Sequence, residues 1–268
     1  AEECFSKLRD YFKAYPPLLF IDSFDNIQKL LDRSVTYEVI RTSEVDRNGL
    51  LFTPRFVQVR TGSSSNLSSL VAEAKLTYPL IVKPFLAHGP KAAHEMCIVF
   101  CEDGLKDVAP PCIIQSFINH NAVLYKIYVI GKHFFVVRRP SIRNCYPSGQ
   151  KTIFFDSQTI SKPFPTSDLI HQDPSEKEDS ITLEPDETIF SDVVESLRAA
   201  LGLTLFGIDV VIETSTGKYG IVDINYFPGY EGMEGFEEIL VDYLMEEYQK
   251  KLFIRICGPD HKNKQSDK

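Results

Sequence analysis

The chain has no CxxC pair and no cysteine–histidine spacing of the kind that builds a zinc site, although it holds six cysteines: Cys4, Cys97, Cys101, Cys112, Cys145 and Cys257. Most lie in apolar runs, which suits reduced thiols and a cytoplasmic setting rather than a disulfide framework. No apolar run approaches the roughly 20 residues that cross a bilayer, and no signal peptide is visible, so no membrane partner is expected. A basic surplus is missing as well. The 29 Lys and Arg stand against 37 Asp and Glu, for a net charge of −8 and a pI of about 5.3. That balance excludes a general nucleic-acid surface, and any polyanion site must be a local basic pocket. There is no Walker GxxxxGK[ST] loop and no internal repeat. What remains is 268 residues, 43% of them hydrophobic, enough for one large or two small domains with a real core.

Along the chain, Phe5, Leu8 and Phe12 share one face of an expected first helix, and Leu18 to Ile21 reads as a short strand. A helix capped by Ser23 or Asp25 follows, broken at Arg33 and Ser34. Phe52 to Val59 reads as a strand with Pro54 near its start. Tyr78 to Pro84, Met96 to Phe100, Pro111 to Ile118, Ala122 to Ile130 and His133 to Arg139 are further strands. Pro163 to Pro185 is a polar loop. Asp186 to Leu201 is an amphipathic helix with Ile189, Val193, Val194, Leu197 and Leu201 inward, and Phe236 to Leu252 is the last long helix. Mixed helices and strands with several hairpins predict an α+β fold rather than a doubly wound parallel sheet.

The stretch Leu205 to Gly232 dominates the chemistry. It reads as two apolar strands around Ser215-Thr216-Gly217, with three polar intruders: Asp209, Asp223 and Asn225. A three-residue loop closed by Thr214 and Lys218 would put Gly217 at its left-handed position and Asp209 directly opposite Asp223, with Asn225 on the same face. A two-residue loop would instead split the carboxylates between faces. Like charges directly opposite destabilise a sheet unless a cation lies between them, and an all-oxygen set favours a hard ion such as Mg²⁺. The plainer alternative is a solvent-facing pair of acids on a half-exposed hairpin.

Lys83 and Lys126 each sit in an apolar strand, where an unpaired lysine is rarely buried. Together they could grip a phosphate chain from two sides; singly, each could snorkel to the surface. The loop His88-Gly89-Pro90-Lys91 has the small residues and charge suited to covering phosphates. His94 either donates to a phosphate or caps the next strand, and Arg138-Arg139-Pro140-Ser141 is either a second basic site or a solvated strand end.

Residues 112–144, CIIQSFINHNAVLYKIYVIGKHFFVVRRPSIRN, together with LLDRSVTYEVI (30–40), VKPFLAHGPKAAHEM (82–96), LFGIDVVIE and VDINYFPGYEG, closely resemble the inositol-tetrakisphosphate 1-kinase (inositol 1,3,4-trisphosphate 5/6-kinase) family. The similarity runs from about residue 16 to 252. It implies an ATP-grasp fold, with nucleotide held between two antiparallel sheets. The segments it implies are a remainder of an N-terminal α/β domain (1–45), a central subdomain (46–117), a C-terminal subdomain with the metal hairpin (118–252) and a disordered tail (253–268). The family's N-terminal lysine for inositol phosphate has no counterpart, so the chain is expected to be N-terminally incomplete.

Carried over by position, the resemblance places Arg33 and Lys83 at the ATP phosphates. Gln115, Ser116, Phe117 and Ile118, on to Lys126, would hold adenine and ribose, and Ser141, Ser157 and Ser161 would line the nucleotide site. His94, Lys126, Asn225 and Gly229 would meet the inositol phosphate. Asp209, Asp223 and Asn225 would bind Mg²⁺, two ions being expected, with Lys126, Asp223 and Asn225 closest to the chemistry. The implied protein is a monomeric, cytoplasmic kinase that moves phosphate from ATP to inositol polyphosphates, with no nucleic-acid partner. Two other readings share parts of this site: a fragment that binds nucleotide or inositol phosphate without turnover, and an ATP-grasp carboxylate–amine ligase.

Overall fold

The structure, a computed structural model, describes residues 2–15, 18–43, 49–60, 66–86, 91–170 and 185–257. Where apolar runs meet proline and polar turns, they break into the strands of two five-stranded sheets. The expected strand from Phe52 to Val59 is two strands. Pro54 has no N–H to give to a ladder, and it separates β1 (Leu51–Phe52) from β2 (Phe56–Val59). β3 (Leu80–Pro84), β4 (Glu95–Val99), β5 (Cys112–Ser116) and later β8 (Ile153–Asp156) join β2 in an antiparallel sheet ordered β2-β5-β3-β4-β8. β6 (Val123–Ile130), β7 (His133–Pro140), β9 (Leu205–Ile212) and β10 (Tyr219–Tyr226) form the second sheet with β1, ordered β1-β10-β9-β6-β7. Only β1 runs parallel to its neighbour. The segment boundaries expected at 46 and 118 therefore do not coincide with the sheets: β1 crosses into the second sheet and β8 into the first.

Helices cover the outer faces. α2 (Phe24–Gln28), α3 (Arg33–Thr42) and α5 (Glu187–Leu201) lie over the second sheet, where Ile27, Tyr37, Phe190 and Leu197 pack on Ile127, Ile208, Val210 and Ile221. Phe190, absent from the expected inward face of α5, is fully buried between the Tyr125 and Tyr219 rings at 5.7 and 5.6 Å. α4 (Leu67–Glu73) covers the first sheet through Leu67 and Val71 on Leu80, Val82 and Ile114. α6 (Phe236–Cys257) packs Phe236, Ile239 and Tyr243 around Tyr128, Ile130 and Tyr230, on part of the second sheet's other face. It runs past the expected end at Leu252, so 253–257 is helix rather than tail; residues 258–268 lie outside the described residues.

Two local expectations are corrected. In α1 (Glu2–Ala14), Phe12 stacks on Phe20 at 4.5 Å, but Leu8 is 39% exposed; Leu18 to Ile21 forms no strand. The helix break falls before Arg33 rather than at it. Asp32 is the N-cap of α3, its Oδ1 accepting from the Ser34 N–H at 2.7 Å, so Arg33 opens a new helix.

The β9–β10 hairpin closes one residue away from the expected pair. Glu213 N donates to Lys218 O and Gly217 N to Glu213 O, both at 2.8 Å, with Gly217 at φ +70°. The loop is four residues, Thr214 to Gly217, and Gly217 takes the left-handed position as expected. This register pairs Tyr219 with Ile212 and Ile221 with Val210; continued, it would set Val222 against Asp209. A β-bulge at Val222 absorbs that residue, and beyond it Asp223 pairs with Asp209 as expected.

Candidate active site

Side chains alternate across a strand, and the faces opposite α2, α3, α4 and α5 line one space, α6 covering only part of the second sheet's face. Between them lies a cavity of about 430 Å³. The first sheet contributes Ile81 and Lys83 from β3, Met96 from β4, Gln115 from β5 and Phe155 from β8. The second contributes Leu124, Lys126 and Tyr128 from β6, Asp209 and Val211 from β9, and Asp223 and Asn225 from β10.

The acidic centre is a cross-strand pair. Asp209 and Asp223 are Cα partners, and Lys126 is the partner of Asp209 on its other side. Lys126 Nζ lies 2.9 Å from Asp209 Oδ1 as an ion pair, yet that oxygen has no hydrogen bond of good geometry. Burial opposes charge on Lys126, but the adjacent Asp209 carboxylate outweighs it and raises the lysine's pKa. Burial also raises the Asp209 pKa, with Asp223 adding repulsion and Lys126 pulling the other way. Arg33 Nε sits 3.9 Å from Asp223 Oδ2. A buried carboxylate held on one side by the Lys126 ammonium, a second carboxylate facing it and an amide two residues on form a sparse all-oxygen set. Among the described residues no cluster of three or more His, Cys, Asp or Glu is placed to hold a metal. The set suits Mg²⁺, which takes one or two carboxylates and completes its shell with water and phosphate.

Lys83 is 5% exposed and is not free. Its Nζ donates to the Tyr37 hydroxyl and to the Val222 carbonyl, both at 2.9 Å. Burial lowers its pKa to about 8, with Asp223 holding it up. Arg33 commits Nη1 to the carbonyls of Pro84 and Leu86 at 2.8 Å and of Ala93 at 3.4 Å, so it braces the exit of β3 while its Nε faces Asp223. At the other end of the cavity, His120 Nδ1 lies 2.6 Å from Ile118 O and Nε2 2.8 Å from Ser141 Oγ. A carbonyl cannot donate, so Nδ1 carries the proton and Nε2 accepts from Ser141.

Residues 45–246 match the inositol 1,3,4-trisphosphate 5/6-kinase ATP-grasp domain. The chain belongs to that family. Inositol-tetrakisphosphate 1-kinase of Danio rerio is 39% identical over 256 residues, covering 94% of this chain and 63% of that protein. The Xenopus laevis protein of the same name is 38% identical over 247 residues, covering 91% and 61%. This chain thus spans about three fifths of the length of these relatives. The likeness to solved structures shows the ATP-grasp fold. A macrocyclase of Microcystis aeruginosa bound with its precursor peptide has a TM-score of 0.54 at 11% identity, covering 84% of this chain and 63% of its own. A RimK domain ATP-grasp protein of Sphaerobacter thermophilus has 0.51 at 12%, covering 82% and 69%.

The cavity of this ATP-grasp domain gathers nearly every residue singled out in the sequence. Arg33, Lys83, His94, Gln115, Phe117, Ile118, Lys126, Ser141, Ser157, Ser161, Asp209, Asp223, Asn225 and Gly229 all line it. Ser116 does not. It alternates away from Gln115 and Phe117, and its Oγ accepts from the Thr77 N–H at 3.1 Å. Residues 88–90 of the expected phosphate-covering loop lie outside the described residues, as does the middle of the polar loop, 171–184. Sequence reasoning passed over His120, Tyr37 and Tyr128. Tyr37 could have been found, since it lies four residues after Arg33 on one helix face; nothing in the sequence marks His120 as buried.

His120 also gives a pH expectation. Burial pushes its pKa down to about 4 from an ordinary 6.5. Between those values the unfolded chain holds a proton that the folded chain refuses. Its contribution is therefore complete above pH 6.5 and lost on falling towards pH 4, by about 3 kcal/mol in all. Thermal midpoints at pH 7 and pH 4.5 should show a larger acid loss in the unaltered chain than in His120→Gln; equal losses would count against the neutral buried imidazole.

Proposed function

We propose that this chain is a Mg²⁺- and ATP-dependent kinase that moves the γ-phosphoryl group of ATP onto a ring hydroxyl of an inositol polyphosphate by direct in-line transfer. One observation carries the reading. Two lysines from different sheets, two facing carboxylates and an amide open onto a single cavity between the sheets. Simple anion binding needs no such carboxylate pair. Family membership and the relatives' name, inositol-tetrakisphosphate 1-kinase, support the substrate class.

The apolar wall of Ile81, Met96, Phe117, Ile142 and Phe155 suits a flat base, and the buried Gln115 side chain lies on the same lining. Because the Ser141 hydroxyl donates its hydrogen bond to His120 Nε2, its oxygen is left to accept from the nucleotide. Lys83 would hold ATP phosphates, Ser157 and Ser161 would lie along the nucleotide, and His94, Asn225 and Gly229 would face the inositol phosphate. Gly229 leaves open backbone there: a Cβ would meet only the Glu231 side chain, at 3.6 Å. When bound by Asp209, Asp223 and Asn225, Mg²⁺ would neutralise phosphate charge. Lys126, beside Asp209, would bridge nucleotide and acceptor. Such transfer is positioning plus charge neutralisation, and no side chain has to become a nucleophile. Cys97, Cys101, Cys112 and Cys145, none of which is in a disulfide, support a cytoplasmic setting.

Incubation with labelled ATP and defined inositol tris- and tetrakisphosphates, with chromatography of the products, tests this. Label should enter the inositol fraction. ATP consumed only in the presence of a carboxylate and an amine, or ATP bound and never turned over, would overturn it.

A further inference from the structure

Tyr37 is completely buried, and its neighbours in the core are apolar apart from one corner. A phenylalanine would fill the same space with no polar group to satisfy, so the hydroxyl needs an explanation. It donates to the Val222 carbonyl at 2.8 Å and accepts from Lys83 Nζ at 2.9 Å, with the Gln115 side chain as a further donor to its oxygen. Lys83 donates a second bond to the same carbonyl, at 2.9 Å. The three groups close a triangle. One corner is on α3, one on β3 of the first sheet and one on β10 of the second. The carbonyl is available because Val222 is the bulged residue, and the next residue is Asp223. The ring adds to the hold: it packs on Phe56 at 5.0 Å, and the Lys83 ammonium lies 5.6 Å from its centroid.

A lysine side chain has four rotatable bonds, and an ammonium that must be ordered at each binding event weakens that binding. Here two of the three N–H groups are fixed on rigid acceptors before any ligand arrives. We propose that Tyr37 is a positioning residue for the nucleotide: its hydroxyl ties the Lys83 ammonium to the bulge beside Asp223, so that the cation for the phosphates and the carboxylate pair are held as one unit across the two sheets. This rests on the reading of Lys83 as a phosphate ligand.

Tyr37→Phe and Lys83→Met are compared with the unaltered chain. Neither change leaves the Val222 carbonyl without a donor, since the other partner remains, so both variants keep the bulge. ATP affinity is measured by calorimetric titration, adenosine affinity by its displacement of ATP, and KM for ATP and kcat in the kinase assay. Tyr37→Phe should weaken ATP roughly tenfold, the scale of one hydrogen bond to a charged group. Adenosine, which has no phosphate, should bind as before, and kcat at saturating ATP should stay within about twofold. Lys83→Met should lose more ATP affinity and also spare adenosine. If Tyr37→Phe weakens ATP and adenosine alike, Tyr37 acts on the fold and the proposal fails. It fails too if Tyr37→Phe binds ATP normally while Lys83→Met does not. Normal ATP binding by Lys83→Met would instead remove the reading of Lys83, and the role of Tyr37 with it.

Discussion

Asp223→Ala is expected to lower phosphoryl transfer to inositol phosphate by roughly 10³-fold, the upper range for removing one electrostatic group from a reaction centre, while the fold survives. Stability is spared because two effects oppose each other. Asp223 and Asp209 are direct cross-strand partners, and removing one like charge relieves repulsion. Against this, Arg33 Nε loses its carboxylate at 3.9 Å. Arg33 is not stranded, because its Nη1 keeps the carbonyls of Pro84, Leu86 and Ala93. The hydrogen bond that Asp223 accepts from the Ile224 N–H is local, between adjacent residues. Initial rates across a Mg²⁺ series, with a thermal melt beside them, check both halves. Near-normal kcat at saturating Mg²⁺ would remove the metal role, and a collapsed melt would mean that the pair is structural.

Lys126→Met should behave in the opposite way, losing stability as well as activity. Lys126 and Asp209 are 17% and 14% exposed and 2.9 Å apart. Breaking such a buried pair leaves Asp209 beside Asp223 with its nearest cation gone, at a cost of about 3–5 kcal/mol. For a domain of this size that is on the order of 10 °C in melting temperature. Removing both charges is a different matter. Lys126→Met with Asp209→Asn leaves no uncompensated ion, and most of the lost stability should return, while activity should not. A double-mutant cycle of melts with parallel kinetics reads this directly. If the double variant melts as low as Lys126→Met alone, the loss comes from the lysine's packing and not from its charge.

How much of this was legible in the sequence differs from residue to residue. The facing carboxylates were legible, because a glycine with positive φ fixes where a hairpin turns. The count that reached them was off at the turn and corrected at the bulge, and no local signal announces a bulge. Lys83 and Lys126 stood out because lysine is anomalous in an apolar strand. Ser116 went astray because a contiguous span was carried over whole, whereas a strand sends alternate residues to opposite faces. Pro54 divided one apolar run between two sheets, a split that periodicity alone does not show. His120 stayed hidden because its partners, Ile118 O and Ser141 Oγ, come together only when the loop before β6 folds against the segment after β7.

The bulge at Val222 also changes what kind of constraint that position carries. The side chain of Val222 makes neither of the bonds that hold Lys83 and Tyr37; its peptide oxygen makes both. Any residue has that oxygen, so an aliphatic at this position says nothing about why it is there. What has to be kept is the number of residues between the turn glycine and Asp223: five lie between Gly217 and Asp223, and the fifth is the one the ladder leaves over. Without it the two strands would simply run on in phase, Asp209 would still face a carboxylate, and Lys83 and Tyr37 would have lost the carbonyl they share. The requirement at 222 is one of length and not of chemistry, and comparisons that score letters column by column would pass over it.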